Sequence, residues 1–188
     1  MKYSTGWIKQ EIEKGSQPEY LFFWGHTQKQ DTVVDKSCFS QWFPAPFKVE
    51  GIVYPTAEHW MMAKKAALFN DREIMEEIIA ATKPAVAKEL GRKVKNFDSE
   101  IWAAESYRIV TEGNRQKFSQ HESLKKFLLG TGSKVIVEAS PVDPVWGIGL
   151  SQDDPFANDP FKWKGTNLLG FTLMEVRDFL KEQNGKTS

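Results

Sequence analysis

Between Phe39 and Phe47 four aromatic side chains, Phe39, Trp42, Phe43 and Phe47, crowd around Pro44 and Pro46. Two prolines so close forbid a helix or a central strand there. Four rings in nine residues cannot face water, so this irregular stretch must dock onto a core made elsewhere. The rest of the chain supplies one. It has 188 residues, 40% hydrophobic, with 13 Phe, 7 Trp and 4 Tyr, enough for one compact domain whose core or pocket is lined by rings.

The strand signals are few. Tyr20-Leu-Phe-Phe-Trp24 and the β-branched Val135-Ile-Val137 predict two short strands, and Phe47 to Tyr54 predicts a hairpin turning at Glu50-Gly51. Helices fill most of the remainder. One runs from a Thr56 cap to about Asn70, and a second follows an Asp71 cap and ends before Pro84. A third, from Pro84 to Leu90, is expected to stop at a left-handed Gly91. Others span Asp98 or Ser99 to Ser119, His121 to Leu129, and Asn167 to Leu180. The class expected is α+β, a helix-rich single domain with a small β-sheet. Residues 1–18 read as a peripheral arm or short helix, 19–182 as the domain and 183–188 as a disordered tail.

Composition excludes several functions. Twenty-five basic and 25 acidic side chains cancel, which argues against electrostatic nucleic-acid binding. Cys38 is the single cysteine, and His26, His59 and His121 lie far apart, so no metal site and no cofactor is expected. The charged N-terminus lacks a signal-peptide run and no stretch reaches the length of a membrane span; the expectation is a cytoplasmic protein. There is no Walker loop, no dinucleotide fingerprint and no nucleophile elbow.

Thr56 to Asn70 holds the oddity. At ~100° per residue Met61, Met62, Leu68 and Phe69 share one face, and Glu58 and Lys65 fall inside it while Lys64 points elsewhere. Opposite charges in an apolar stripe are costly unless paired or facing a cavity. Their Cα atoms stand ~10.5 Å apart, long for direct pairing and suited to converging on something between them. A buried ion pair with other residues, or snorkelling to water, is the plainer alternative. The chemical alternative is a desolvated lysine acting as nucleophile at a sugar anomeric carbon, with a carboxylate moving protons.

A second cluster follows the Val135 strand: Glu138, Asp143, Trp146, Gly147 and Gly149, an acid, a ring and glycines in a loop. It reads equally as a site or as a Trp-anchored turn with Asp143 bonded to its own backbone. Asn167, before the last helix, could hold a phosphate or hydroxyl or simply cap the helix. Arg92 and Lys117 are candidate phosphate partners, or solvated charges complementing helix ends.

Taken in order, Phe47 to Gly51, Tyr54-Pro-Thr-Ala-Glu58-His59, Lys65-Ala66, Leu90-Gly91-Arg92, Lys117-Phe118, Leu128 to Thr131, Val137-Glu138, Asp143, Trp146-Gly-Ile-Gly149, Gly165, Asn167, Leu169-Gly170 and Leu173-Met174 to Arg177 resemble the NADAR superfamily of YbiA-like N-glycosidases. The resemblance covers roughly Tyr20 to Leu180. It implies a YbiA-like fold, no metal, and hydrolysis of phosphoribosylamino-pyrimidine intermediates of early riboflavin synthesis. Other branches of the family act on ADP-ribose, including its removal from guanine in DNA. A module that binds ADP-ribose without cleaving it is a further alternative. The resemblance implies a reactive lysine at Lys65 and an acid at Glu58, with Asp143 as a further acid. Expected substrate-binding residues are Ser40, Gln41, Trp42, His59, Arg92, Lys117, Glu138, Trp146, Gly147 and Asn167. The expected partner is a phosphorylated ribosyl-base small molecule, with ADP-ribosylated DNA as the alternative, no membrane, and a monomer or weak homo-oligomer. Two departures stand out. Ser40-Gln41-Trp42 replaces the usual Ser-Asn followed by Phe, and the acidic Ser151 to Pro160 has the look of an insertion that disfavours DNA.

Overall fold

The aromatic run at Tyr20 becomes a strand, β1 (Tyr20–Phe23), and its partner is β4 (Val135–Glu138), far along the chain. The two run parallel, Tyr20 opposite Val135 and Phe23 opposite Glu138. The coordinates, a computed structural model, describe residues 1–30 and 33–185. Their contacts separate into two units, Met1–Ser40 with Glu122–Ser188, and Gln41–His121.

The first unit carries α1 (Thr5–Glu13), β1, a 3-10 turn (Lys36–Phe39), α6 (Glu122–Gly130), β4 and α7 (Leu168–Gly185). Val135, Ile136 and Val137 are all buried, as a β-branched run covered on both faces should be. Phe39 is fully enclosed, its ring against Phe23 and Phe127 with centroids 5.5 and 5.4 Å away. The expected N-terminal arm is a helix capped by Ser4 and docked through buried Ile8, with the Trp7 ring edge-on to Phe171 of α7. Arg177 of α7 is 3% exposed and donates to Thr131 Oγ1 and to the Lys134 carbonyl, which closes the turn after α6. The last helix runs five residues beyond the expected Leu180, so positions 183–185 of the expected tail are helical; 186–188 lie outside the described residues.

The second unit holds β2 (Phe47–Val49), β3 (Ile52–Tyr54), α2 (Ala57–Leu68), α3 (Arg72–Ala80), α4 (Pro84–Arg92) and α5 (Ser99–Gln120). The hairpin turns on Glu50 (φ 50°) and Gly51 (φ 86°), two left-handed residues in a row as a tight hairpin demands. Thr56 and Asp71 cap α2 and α3 with their side chains, as the sequence predicts, and of the two starts left open for α5 Asp98 is the capping residue. Trp60 fills the middle, its Nε1 donating to the Ile109 carbonyl of α5. Gly113 of α5 faces the same ring, where a Cβ would lie 2.3 Å from an indole carbon.

Two expectations change in detail. Among the described residues the strands form two separate two-stranded pairings, β1 with β4 and β2 with β3. Gly91 does not end α4 in a left-handed conformation; it lies within the helix, which runs on to Arg92, and its φ is not positive. Among the described residues no helix is long and apolar enough to cross a membrane.

Candidate active site

Helix α2 is buried on every side through its first half, from Ala57 to Ala63, so the two charges of its stripe sit in a helix sunk into the second unit. Glu58 is 5% exposed and lies in the first turn, where the positive end of the helix dipole favours a carboxylate. Its backbone N–H, left without an intrahelical partner, donates to the Gln41 carbonyl at 2.9 Å. The Gln41 side chain in turn donates to Asn114 Oδ1 of α5 at 3.1 Å, and Asn114 is fully buried. Gln41, one of the departures from the family pattern, thus ties the proline-broken stretch to α5 and to the start of α2. Trp42 beside it is half-buried, with Lys88 Nζ 5.8 Å from its ring.

Lys65 is half-buried. Its Nζ donates to the Gly91 carbonyl at 2.8 Å and stands 4.0 Å from the Phe97 ring and 5.7 Å from the Trp102 ring. Burial pushes its amine below the ordinary lysine range. The neighbouring Lys64 turns to the face of Trp60 instead, at 4.6 Å. Phe97 and Trp102 were not singled out from the sequence. Two rings flanking the Asp98 cap are the signal that would have found them, and Phe97 is 45% exposed, unusual for a residue whose ring also meets Phe69 edge-on.

His59 is fully buried with both ring nitrogens engaged, Nε2 with the Ala81 carbonyl at 3.0 Å and Nδ1 with Thr56 Oγ1 at 2.8 Å. A carbonyl only accepts, so Nε2 carries the proton and the Thr56 hydroxyl donates to Nδ1. That neutral ring links the start of α2 to the end of α3. Burial holds its pKa below the usual 6.5. A histidine depressed in the fold takes up protons more readily when unfolded, so its contribution is present above pH 6.5 and lost as pH falls through the folded value. We expect the melting temperature to drop between about pH 7.5 and about pH 5.5, and to drop less in His59→Gln; equal slopes by calorimetry would refute this.

Lys117, expected as a solvated charge or phosphate partner, is completely enclosed, its Nζ 5.5 Å from the Phe43 ring and 5.3 Å from that of Phe118. Arg92, at the end of α4, is exposed. Of the two cations, only Arg92 lies where solvent reaches it.

The remaining candidates belong to the first unit. Ser40 is half-buried and closes the 3-10 turn, its N–H donating to the Ser37 carbonyl. Asp143 Oδ1 accepts from the N–H groups of Val145 and Trp146 at 2.9 and 2.8 Å, the local turn that the loop reading offered as its plainer alternative. The same device recurs at Asp154, which accepts from Phe156, and at Asp159, which accepts from Phe161. In all three an Asp-Pro pair begins the turn, the proline fixing φ so that the carboxylate meets the N–H two residues on. The inserted-looking segment is therefore a series of self-closed turns, pinned by Trp163 Nε1 on the Ala157 carbonyl.

Gly147 is buried, and a Cβ there would stand 2.9 Å from the Glu138 carbonyl oxygen. Trp146 beside it is half-buried. Asn167 is fully buried at φ 53°, and its side chain turns toward β4. Its Nδ2 donates to the Ile136 carbonyl and its Oδ1 accepts from the Glu138 N–H, both at 2.9 Å, stapling α7 to β4. Glu138 is half-buried at the end of that strand.

The family pattern described as NADAR domain matches residues 22–181. An N-glycosidase of Acanthamoeba polyphaga mimivirus is 47% identical over 165 residues, 85% of this chain and 95% of the relative. N-glycosidase YbiA of Escherichia coli is 33% identical over 158 residues, 80% of this chain and 90% of the relative. The NMR structure of the same E. coli protein superposes with a TM-score of 0.71 at 30% identity, covering 90% of this chain and 89% of that one. The helix-rich α+β fold is thus YbiA-like, and the chain belongs to the NADAR domain family as an N-glycosidase.

Proposed function

We propose that the enzyme hydrolyses the N-glycosidic bond of a phosphorylated ribosyl-base, a phosphoribosylamino-pyrimidine intermediate of early riboflavin synthesis, and releases ribose 5-phosphate. The observation that carries this reading is the Lys65 amine: half-buried, depressed in pKa by burial, and held by a backbone carbonyl and a ring face. An amine so placed is neutral more often at physiological pH than a solvated lysine, and neutral is the form that attacks carbon.

In the proposed chemistry Nζ bonds to the anomeric carbon as the bond from that carbon to the base nitrogen breaks. The base leaves with one proton that Nζ gives up; the bond from the anomeric carbon to the ring oxygen then breaks as that oxygen takes the other, and the opened sugar is held as an imine on Lys65. Water adds to the imine carbon, and the aldehyde sugar departs as the amine is restored. Glu58, in the first turn of the same helix, is the group we propose for proton transfer. Exposed Arg92 is the proposed phosphate partner, and half-buried Trp42 of the same unit is proposed to stack on the base.

Turnover can be followed with the pyrimidine intermediate and, in parallel, with DNA carrying ADP-ribosylated guanine. Ribose 5-phosphate from the first is the expected product. ADP-ribose released from the second, with the first inert, would replace the substrate while leaving the bond type intact. Calorimetric binding of ADP-ribose with no product by mass spectrometry would refute cleavage altogether.

A further inference from the structure

We propose that Gly91 is a positioning residue for the Lys65 amine: having no side chain, it lets the end of α4 lie against Met62 of α2 and hand its own carbonyl to Nζ. This rests on the role proposed for Lys65 and adds what sets the geometry of its amine.

Three observations support it. First, Gly91 is helical, with no positive φ, so backbone freedom does not explain a glycine there. Within a helix glycine is a destabilising choice against alanine. Second, space does explain it. A Cβ at Gly91 would lie 2.1 Å from Met62 Sδ, 2.9 Å from its Cγ and 3.2 Å from its Cβ. Met62 is 7% exposed, so its side chain has little room to swing away. Third, the carbonyl that this close approach delivers is one of those a helix end leaves without an intrahelical partner. The Leu90 carbonyl is taken by the Lys93 N–H at 2.8 Å, and the Gly91 carbonyl by Lys65 Nζ at 2.8 Å.

The contact has two consequences. It fixes the far end of a side chain with four rotatable bonds, so the amine is oriented before a substrate arrives. It also places Nζ at the negative end of α4, where carbonyl and helix dipole favour the ammonium against the burial that disfavours it. Burial depresses this amine; the charged residues on and beside the elements packed on α2 include Asp71, Glu73, Lys88, Arg92, Lys93 and Glu100. Pushing α4 outward to admit a methyl group lengthens the bond, weakens the opposing carbonyl, and moves the titration of Lys65 to lower pH.

The test uses the whole protein in three forms: wild type, Gly91→Ala, and Gly91→Ala with Met62→Ala, which removes the Sδ and Cγ that the new methyl would strike. Competitive labelling with acetic anhydride across pH, read on the Lys65 peptide by mass spectrometry, gives the titration of that one amine without any substrate. The single variant is expected to titrate at lower pH and to lose turnover about 10- to 100-fold with KM little changed, and the double variant to regain both. An unmoved Lys65 titration in folded Gly91→Ala overturns the proposal. So does a shift that the double variant fails to reverse. Should the single variant not fold, the double variant decides, with wild-type titration expected and a displaced one refuting. Because labelling needs no catalysis, these outcomes stand apart from borohydride trapping of a sugar on Lys65, whose absence in wild type would sink the imine and leave the amine's geometry to be judged separately.

Discussion

Lys65→Arg is expected to cut turnover by roughly 10³-fold or more in a protein that still folds. Arginine keeps the positive charge, can still donate to the Gly91 carbonyl, and can still lie over the Phe97 ring, so most of what Lys65 does for packing survives. What it cannot do is lose its proton near neutral pH and attack carbon. A purely structural or electrostatic lysine would tolerate this change. Steady-state rates on the substrate that wild type turns over, with far-ultraviolet circular dichroism to confirm the fold, decide the matter. A folded variant within tenfold of wild type would take the nucleophile away from this position.

The largest effect on stability is expected at Gly170→Ala, a loss of at least about 3 kcal/mol. Gly170 lies in the first turn of α7, where that helix meets β4. A Cβ there would sit 2.1 Å from the Ile136 carbonyl oxygen and 2.6 Å from both polar atoms of the Asn167 side chain. None of these can yield cheaply. The oxygen belongs to the central residue of a buried strand, and it already accepts from Asn167 Nδ2. Making room therefore breaks the staple between α7 and β4 and strands a buried amide. Gly130→Ala is the control, since a Cβ at that helix end meets nothing within 4 Å. Urea unfolding should show a lowered midpoint for the first and little change for the second; equal midpoints would refute the close approach.

Most of the elements were legible because their signals are local. The capping side chains of Thr56, Asp71 and Asp98, the Glu50-Gly51 turn and the β-branched run at Val135 each announce themselves within a few residues. The failures share a cause. Gly91 reads as a helix stop because the reason for it, Met62 on another helix, is 29 positions away and invisible to any local pattern. Lys117 reads as a phosphate partner or a solvated charge because lysines late in helices usually meet water, whereas here it is fully enclosed with its Nζ near the rings of Phe43 and Phe118. Asn167 reads as a phosphate-binding residue or a cap, and its side chain turns back to a strand some thirty residues upstream. For the site, the inward charge of Lys65 was readable from the helical period, while its ring neighbours Phe97 and Trp102, contributed from around the start of α5, were not.

The parallel pairing of β1 with β4 also says something about how the chain is born. A ribosome delivers Tyr20 early and Val135 late, and everything from Gln41 to His121 emerges in between. That middle stretch holds its own hairpin and four helices, so it can settle as soon as it is clear of the exit tunnel. The nascent β1, with Phe22 and Phe23 and no strand to join, must wait, an apolar edge that a chaperone would recognise. Slow synthesis of the last third of the message should therefore lengthen the period in which this enzyme is prone to aggregate, whereas slow synthesis of the middle should not.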